Sequence, residues 1–253
     1  MLDLRFNILN NHVDYFVISE STKTHQGKDK KINFNINNFP KYKNKILHII
    51  ADFDKDKNFS QHKGGESIVE QHQRNFISSG LVKADDNDLI ILSDSDEIPD
   101  LTKLKQIKSS TKFTAFSQMM FMYKLNLQNL NESNWIGSKL CLKKNLPKPQ
   151  KLRNMKFKNF PFWRLDKKNI QIISGGWHFS FLQSPSDIAK KIKSYSHGEF
   201  NTQENVNEKN IKEKIKNNID VFNRGFNLKK IEIDKRFPNF IVENKEKLSQ
   251  WID

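Results

Sequence analysis

The sequence contains a single cysteine, Cys141, and no long apolar run. One cysteine excludes an internal disulfide framework and is typical of a protein from a reducing compartment. No apolar stretch approaches the ~20 residues that a membrane-spanning helix needs. The N-terminus lacks the basic region and apolar stretch of a signal peptide. Together these absences predict a cytoplasmic location.

Acidic residues are the minority charge, with 29 Asp and Glu against 43 Lys and Arg. The net charge of +14 favours an anionic partner such as nucleic acid, nucleotide phosphate or an anionic membrane contacted peripherally. Only 36% of the 253 residues are hydrophobic, but 20 phenylalanines supply bulk for a core. The length suits one large domain, and the sequence shows no internal repeat and no clear second domain.

The acids are concentrated in one stretch, because residues 85–100 contain seven acids and no Lys or Arg. An apolar run at 89–92 leads directly into Ser93-Asp94-Ser95-Asp96-Glu97-Ile98-Pro99. A short apolar run followed by turn signals predicts a buried parallel strand. In open α/β sheets ligands bind beyond the carboxyl ends of such strands, and carboxylates there can hold a hard divalent cation. Asp94, Asp96 and Glu97 are therefore candidate metal ligands.

Strands and helices are predicted to alternate along the chain. Strands are predicted at 13–18, 45–51, 89–92, 113–127 and 170–173, and helices at 66–79, at 101–107 and from Ser186. This order predicts an α/β fold with a mostly parallel, Rossmann-like sheet flanked by helices. Residues 201–253 are predicted to form a polar, peripheral helical segment.

Two strand ends carry candidate ligand-binding residues. Glu20 and Thr22 end the first predicted strand, where α/β sheets usually hold a base and ribose. The segment Gly175-Gly176-Trp177-His178 follows a later strand. Its glycines allow close approach of the backbone to a ligand, its Trp offers a stacking surface, and its His is a candidate metal ligand.

A basic stretch follows the predicted strand region at 113–127. It has eleven Lys or Arg and one acid between residues 139 and 168. Two interpretations remain open for it. It is either a solvated basic face or a basic wall that receives a diphosphate or an anionic acceptor.

Six segments taken together resemble glycosyltransferase family 17, the family of the β-1,4-mannosyl-glycoprotein 4-β-N-acetylglucosaminyltransferase. They are 13–22 (VDYFVISEST), Glu70 with 73–75 (QRN), 93–99 (SDSDEIP), 135–138 (WIGS), 175–180 (GGWHFS) and 196–199 (SHGE). The resemblance covers residues 2–245. The resemblance rests on all six segments in this order, because the Asp-x-Asp tripeptide alone is a weak signal.

The resemblance implies a GT-A fold, a UDP-sugar donor (UDP-GlcNAc), Mn²⁺ or Mg²⁺, a glycan acceptor and inversion at the anomeric carbon. It implies one glycosyltransferase domain over 1–253. Within it, residues 1–125 are the nucleotide-binding half and residues 126–200 the half that binds the acceptor and completes the metal site. Residues 201–253 are the peripheral segment.

Roles follow for the candidate residues. Asp96 is expected to bind the metal directly, and Asp94 to meet it through water or to bind the ribose. His178 and His197 are rival candidates to complete the metal shell. Arg74 is expected to reach the diphosphate, unless it serves only as the partner of Glu70.

An inverting transfer also needs a base that takes the proton of the acceptor hydroxyl. Glu199 is the best-placed acid by sequence order, whereas Asp187 falls in the first turn of a predicted helix, where acids are favoured anyway. Glu20, Thr22, Gly175, Gly176 and Trp177 are expected to contact the donor.

Two other functions stay open. A haloacid-dehalogenase-like phosphatase would use Asp94 and Asp96 after an apolar strand, although Ile98 stands where that signature has Thr or Val. A nucleic-acid-binding protein would explain the charge, but the basic residues are spread widely and form no recognition motif, so nucleic acid is not the expected partner.

Overall fold

In a computed structural model of this chain, residues 1–53, 62–63, 66–158, 169–194 and 200–253 are described, with positions 62, 63 and 66 described by their backbone alone. The helices are α1 (Leu2–Leu9), α2 (Ile68–Phe76), α3 (Pro149–Asn154), α4 (Pro185–Ser194), α5 (Glu208–Lys216) and α6 (Asn239–Glu243). The strands are β1 (Phe16–Ser21), β2 (Ile46–Ala51), β3 (His62–Lys63), β4 (Glu66–Ser67), β5 (Leu89–Leu92), β6 (Glu97–Pro99), β7 (Phe113–Met122), β8 (Leu127–Asn129), β9 (Trp135–Leu142), β10 (Ile170–Ser180) and β11 (Leu228–Lys230).

Seven of the described strands form the main sheet. At its centre, β7 pairs in parallel with β10 on one side and antiparallel with β9 and β8 on the other. Beyond these neighbours lie β5 next to β9, β6 next to β10 and β11 next to β8, all in antiparallel orientation. The fold is a mixed α/β domain whose main sheet is mostly antiparallel.

The predicted α/β class is thus confirmed, but the mostly parallel, Rossmann-like sheet of a GT-A fold is not. The strand predicted to be parallel and buried, β5, pairs antiparallel with β9, and its first residue Leu89 is 48% exposed. Apolar patterning indicates burial and not strand direction. The chain runs from β7 through β8 to β9 without a helix, and parallel neighbours need a longer crossover, so these strands pair antiparallel.

The first two long strands form a separate parallel pair, with Phe16 opposite Ile46 and Ser21 opposite Ala51. An apolar cavity of about 490 Å³ is lined by both β1 and β5 and by α1. No ladder among the described residues joins β1 to β5 across it. The predicted single sheet is therefore divided at this point.

The described helices are short, and the longest, α4, has 10 residues. The predicted helix at 66–79 begins later, at Ile68, because the Ser67 side chain accepts a hydrogen bond from the Glu70 N–H at 3.0 Å and caps it. A 3₁₀ turn at Ile77–Gly80 continues it. In the ranges given above, no helix has the length and apolarity to cross a membrane.

The C-terminal segment is more deeply packed than its polar composition predicts. It contains α5 and α6, as expected of a helical segment, but β11 also extends the main sheet. Ile233, Phe237 and Ile241 are buried in the main hydrophobic core. A few well-placed apolar residues suffice to anchor a segment that is otherwise polar.

The glycine pair 175–176, predicted to lie in a loop, is part of β10, where the pairing with β7 shifts between Ser174 and Trp177. Both glycines have positive φ, at 153° and 115°. A Cβ at Gly176 would stand 2.6 Å from the Ile98 carbonyl oxygen. Gly176 therefore lets β10 approach β6 closely.

We expect Gly176→Ala to lower the free energy of unfolding by about 1–3 kcal/mol, because the new methyl group meets fixed backbone and the backbone is strained at positive φ. Gly225→Ala is the matched control, since Gly225 also has positive φ but nothing stands within 4 Å of its Cβ position. Urea unfolding of both variants measures the difference. Equal losses would show that the contact with Ile98 contributes nothing.

Candidate functional site

The acidic turn of residues 94–97 connects β5 to β6, as the order of the sequence predicts. The Glu97 N–H donates to the Asp94 carbonyl oxygen at 3.1 Å and closes the turn. Arg5, on α1, donates to the backbone carbonyls of Asp94 and Glu97. Helix α1 therefore fixes the backbone of the turn, while the carboxylates face other elements.

Asp94 lies between two arginines. Its Oδ2 is 3.0 Å from Arg153 Nη2, and its Oδ1 is 3.3 Å from Arg74 Nη2. Arg74 also pairs with Glu70 at 2.9 Å and is 9% exposed, so it is a buried junction between α2 and the turn. Arg74 is therefore the partner of Glu70 and also contacts the acidic turn, whereas its contact with a diphosphate stays a prediction.

Asp96 faces two other side chains, a histidine and a lysine. Its Oδ1 lies 3.7 Å from His178 Nε2, and its Oδ2 lies 3.6 Å from Lys191 Nζ. Burial alone would raise the pKa of Asp96, but Lys191 and His178 outweigh it and hold that pKa well below its ordinary value. Asp96 is therefore a fixed negative charge at neutral pH.

Glu97 is only 1% exposed, and its carboxylate accepts from the Asp94 N–H at 3.3 Å and from two side chains. Trp135 Nε1 donates to its Oε1 at 2.9 Å, and Arg153 Nη2 lies 3.4 Å from the same oxygen. Burial and the neighbouring Asp94 raise the pKa of Glu97, against the opposing effect of Arg153. These contacts fit a residue that anchors the turn to β9 and α3.

His178 is the predicted metal ligand that the structure brings to Asp96. It is 7% exposed, and its ring lies 4.8 Å from that of Trp135. Burial lowers the pKa of His178, but the contact with Asp96 outweighs burial and raises it. Its Nδ1 is buried and has no hydrogen-bond partner among the described residues, which is unusual for a buried polar atom.

The chemistry of Asp96 and His178 fits a Mn²⁺ or Mg²⁺ ion in part. Carboxylate oxygen and neutral imidazole nitrogen are ligands that Mn²⁺ accepts, and a carboxylate suits Mg²⁺. Among the described residues, however, no group of three or more His, Cys, Asp or Glu side chains could hold a metal. The two side chains would supply two ligands, with the others coming from water or from a bound diphosphate. His197 and Glu199 lie outside the described residues.

The other predicted donor contacts are used for packing. Trp177 is 7% exposed in the main core, and its Nε1 donates to the Arg236 carbonyl at 3.0 Å. Gly175 lies beside Asp100, and Gly176 lies against Ile98 and Pro99. Packing thus accounts for this segment without a ligand.

Glu20 and Thr22 organise the loop after β1. The Glu20 carboxylate accepts from Lys30 Nζ at 2.7 Å and from the backbone N–H groups of Asn33 and Phe34. Burial raises the pKa of Glu20, but these hydrogen bonds outweigh it and lower that pKa. Thr22 Oγ1 donates to Asp52 at 2.9 Å. The loop is therefore closed by its own contacts.

His25, in this loop, is a candidate that the sequence interpretation did not select. Burial lowers its pKa, and its electrostatic neighbours are Glu70, Arg74, Asp94 and Lys191. The loop therefore comes within electrostatic range of the acidic turn. A polar His-containing loop directly after a predicted strand was the available signal.

Arg153 and Lys191 are the other residues that sequence reasoning missed. Arg153 lies in the basic stretch, and its contact with both Asp94 and Glu97 supports the interpretation of that stretch as part of the site. Lys191 lies on α4 among other lysines, and nothing in the sequence distinguishes it. The structure thus surrounds the acidic turn with cationic side chains from helices that lie far apart in the chain.

Comparison with protein families identifies the class of protein to which this chain belongs. The model of glycosyltransferase family 17 matches residues 1–225, so the chain belongs to that family. The protein is a glycosyltransferase, which uses a sugar donor and a glycan acceptor. The resemblance of the six segments is thereby confirmed. No curated protein and no solved structure gives a match.

The pH dependence of stability tests the packing of Lys139, whose Nζ donates to the carbonyls of Arg153 and Met155 at the base of the site. Burial, followed by Arg153, lowers its pKa from 10.5 to about 8. Between these pH values the unfolded chain binds more protons than the native protein, so stability rises with pH. We expect a rise of about 2–3 kcal/mol from this group.

The variant Lys139→Met lacks the titrating amine and serves as the comparison. Urea unfolding from pH 7 to 10.5 should show the wild-type free energy of unfolding rising relative to that of the variant. A constant difference across this range would contradict a lowered pKa for Lys139.

Proposed function

We propose that this glycosyltransferase moves a sugar from a UDP-sugar, with UDP-GlcNAc as the first candidate, to a glycan hydroxyl with inversion. The observation that supports this most is Asp96, a partly buried ionised carboxylate that contacts His178 and Lys191. The arginines that hold Asp94 lie on the same turn. Family membership supports the reaction class.

The chemistry explains why cations collect there. When the glycosidic bond to UDP breaks, negative charge develops on the leaving diphosphate, and preorganised positive groups stabilise that charge. Arg74 and Arg153 are held at the turn by several contacts, and the Lys191 ammonium lies beside it, 3.6 Å from Asp96 Oδ2. A guanidinium suits bidentate contact with phosphate, and a lysine acts as a point charge.

Asp96 and His178 are the described residues that would hold the proposed Mn²⁺ or Mg²⁺. When bound, such an ion would supply Lewis-acid stabilisation of the diphosphate. Asp94, with both oxygens on arginines, would serve to fix Arg74 and Arg153 for the donor.

The remaining roles follow the sequence interpretation. Residues 1–125 are proposed to bind the nucleotide and residues 126–200 the acceptor, with 201–253 supporting the fold. Glu20 and Thr22 would shape the loop that receives the base and ribose, with His25 facing the acidic turn. Glu199 is proposed as the general base that takes the acceptor proton.

No observation favours the two alternative functions. A phosphatase nucleophile at Asp94 would need a free carboxylate oxygen, and both of its oxygens contact arginines. Family membership gives no reason to expect a nucleic-acid partner. A cytoplasmic location and contact with an anionic membrane stay predictions.

The test measures binding of UDP and UDP-GlcNAc in the presence of Mn²⁺ by calorimetry and thermal shift, and then sugar transfer. We expect wild type to bind UDP and Asp96→Asn to lose about 100-fold or more in sugar transfer, because a proposed ligand of the ion that would stabilise the leaving diphosphate is removed. Asp86→Asn is the control, since Asp86 is an exposed acid of the same stretch.

Failure of every UDP species to bind wild type would exclude the proposed donor class. Equal activity of Asp96→Asn and Asp86→Asn would remove Asp96 from the mechanism. Hydrolysis of a simple phosphate ester that is lost in Asp94→Asn would favour the phosphatase instead.

A further inference from the structure

Lys191 differs from the other cations around the acidic turn. Arg74 and Arg153 are 9% and 20% exposed and are fixed by several contacts each. The Lys191 side chain is 36% exposed, and its Nζ stands 3.6 Å from Asp96 Oδ2, too far for a strong hydrogen bond. No hydrogen bond within the described part of the chain holds this ammonium group. It can therefore move at low cost.

A second contact shows where this ammonium rests. Lys191 Nζ lies 4.9 Å from the centre of the Phe181 ring, close enough for a cation–π interaction. Such contacts at a partly exposed position are weak, about 0.5–1 kcal/mol, so they place the charge without locking it.

The two oxygens of the Asp96 carboxylate have different partners. Oδ1 faces the buried His178 on β10, and Oδ2 faces the Lys191 ammonium on α4. Any further positive charge that approaches Oδ2 meets the Lys191 ammonium first. Two positive charges this close repel each other strongly where the environment is partly buried.

We propose that the Lys191 ammonium pairs with the Asp96 carboxylate in the donor-free protein. When a divalent cation binds Asp96, the ammonium leaves that carboxylate and pairs with the donor's diphosphate instead. This inference rests on the proposed function, in which Asp96 and a diphosphate meet at this turn. Lys191 thereby prevents Asp96 from being an uncompensated buried charge before the donor binds. It also adds a cation to the leaving diphosphate afterwards.

The exchange makes two predictions of opposite sign for Lys191→Met, which keeps much of the apolar stem and removes the charge. Mn²⁺ should bind about tenfold more tightly without nucleotide, because its competitor is gone. UDP should bind about tenfold more weakly at saturating Mn²⁺, because one cation to the diphosphate is lost. A residue that only supports the fold would not shift the two affinities in opposite directions.

Free Mn²⁺ is measured by electron paramagnetic resonance, and UDP binding by calorimetry, on the full chain. Lys190→Met is the matched control. Lys190 immediately precedes Lys191 on the same helix, its side chain is 77% exposed, and it pairs with Asp187. It should leave both affinities unchanged. Lys191→Arg retains the charge and should stay within about twofold of wild type in the Mn²⁺ titration.

Several results would overturn the exchange. Mn²⁺ affinity that is unchanged in Lys191→Met, or no Mn²⁺ binding by either protein, would show that Lys191 does not compete at Asp96. Unchanged UDP affinity would show that it does not reach the diphosphate. If wild type binds Mn²⁺ but no UDP species, the proposed donor fails, while the Mn²⁺ titration still tests the competition at Asp96.

Discussion

The neutralisation of one acidic turn by cations from distant parts of the chain is the constraint on which the described structure depends. Three carboxylates, those of Asp94, Asp96 and Glu97, gather within four residues and could not be partly buried together without positive partners. Three helices bring such partners, Arg74 from α2, Arg153 from α3 and Lys191 from α4, and Arg5 of α1 binds the backbone carbonyls of the turn. The helices are short and can be positioned by these contacts as well as by apolar packing.

The same arrangement connects fold to function. A surplus of positive side chains is held in place by carboxylates that would otherwise be unfavourable where they lie. The arginines around Asp94 are held by several contacts each, whereas the Lys191 ammonium beside Asp96 is held less firmly. The proposed release of a diphosphate would use both, because preorganised charges stabilise the leaving group while exchangeable ones let it bind and depart.

Sequence reasoning located the acidic turn and its strand because an acid cluster in a basic chain is a local signal. It also found α2 and the pairing of Asp96 with His178 through the ordered family segments. It failed on strand direction, since β5 and β9 pair through contacts that no local pattern records. It did not identify the packing role of Gly176, because the sequence alone does not distinguish a glycine that permits close strand packing from one that faces a ligand; contact of Gly176 with the donor stays a prediction.

Arg153 and Lys191 were missed for a related reason. Each is one of 43 basic residues, and only the tertiary fold distinguishes a lysine beside a carboxylate from a lysine in solvent. Contacts between residues 59 positions apart, such as Arg153 with Asp94, depend on the packing of α3 against β5. Composition therefore predicted an anionic ligand but could not say which basic side chains would lie at the acidic turn.

The most direct test of this account is a crystal structure of the protein with UDP and Mn²⁺. The account predicts the diphosphate at the acidic turn, within contact distance of Arg153 and Lys191, with Asp96 and His178 on its metal side. A diphosphate bound elsewhere on the protein, with the contacts of Arg74, Arg153 and Lys191 to the turn unchanged, would contradict it.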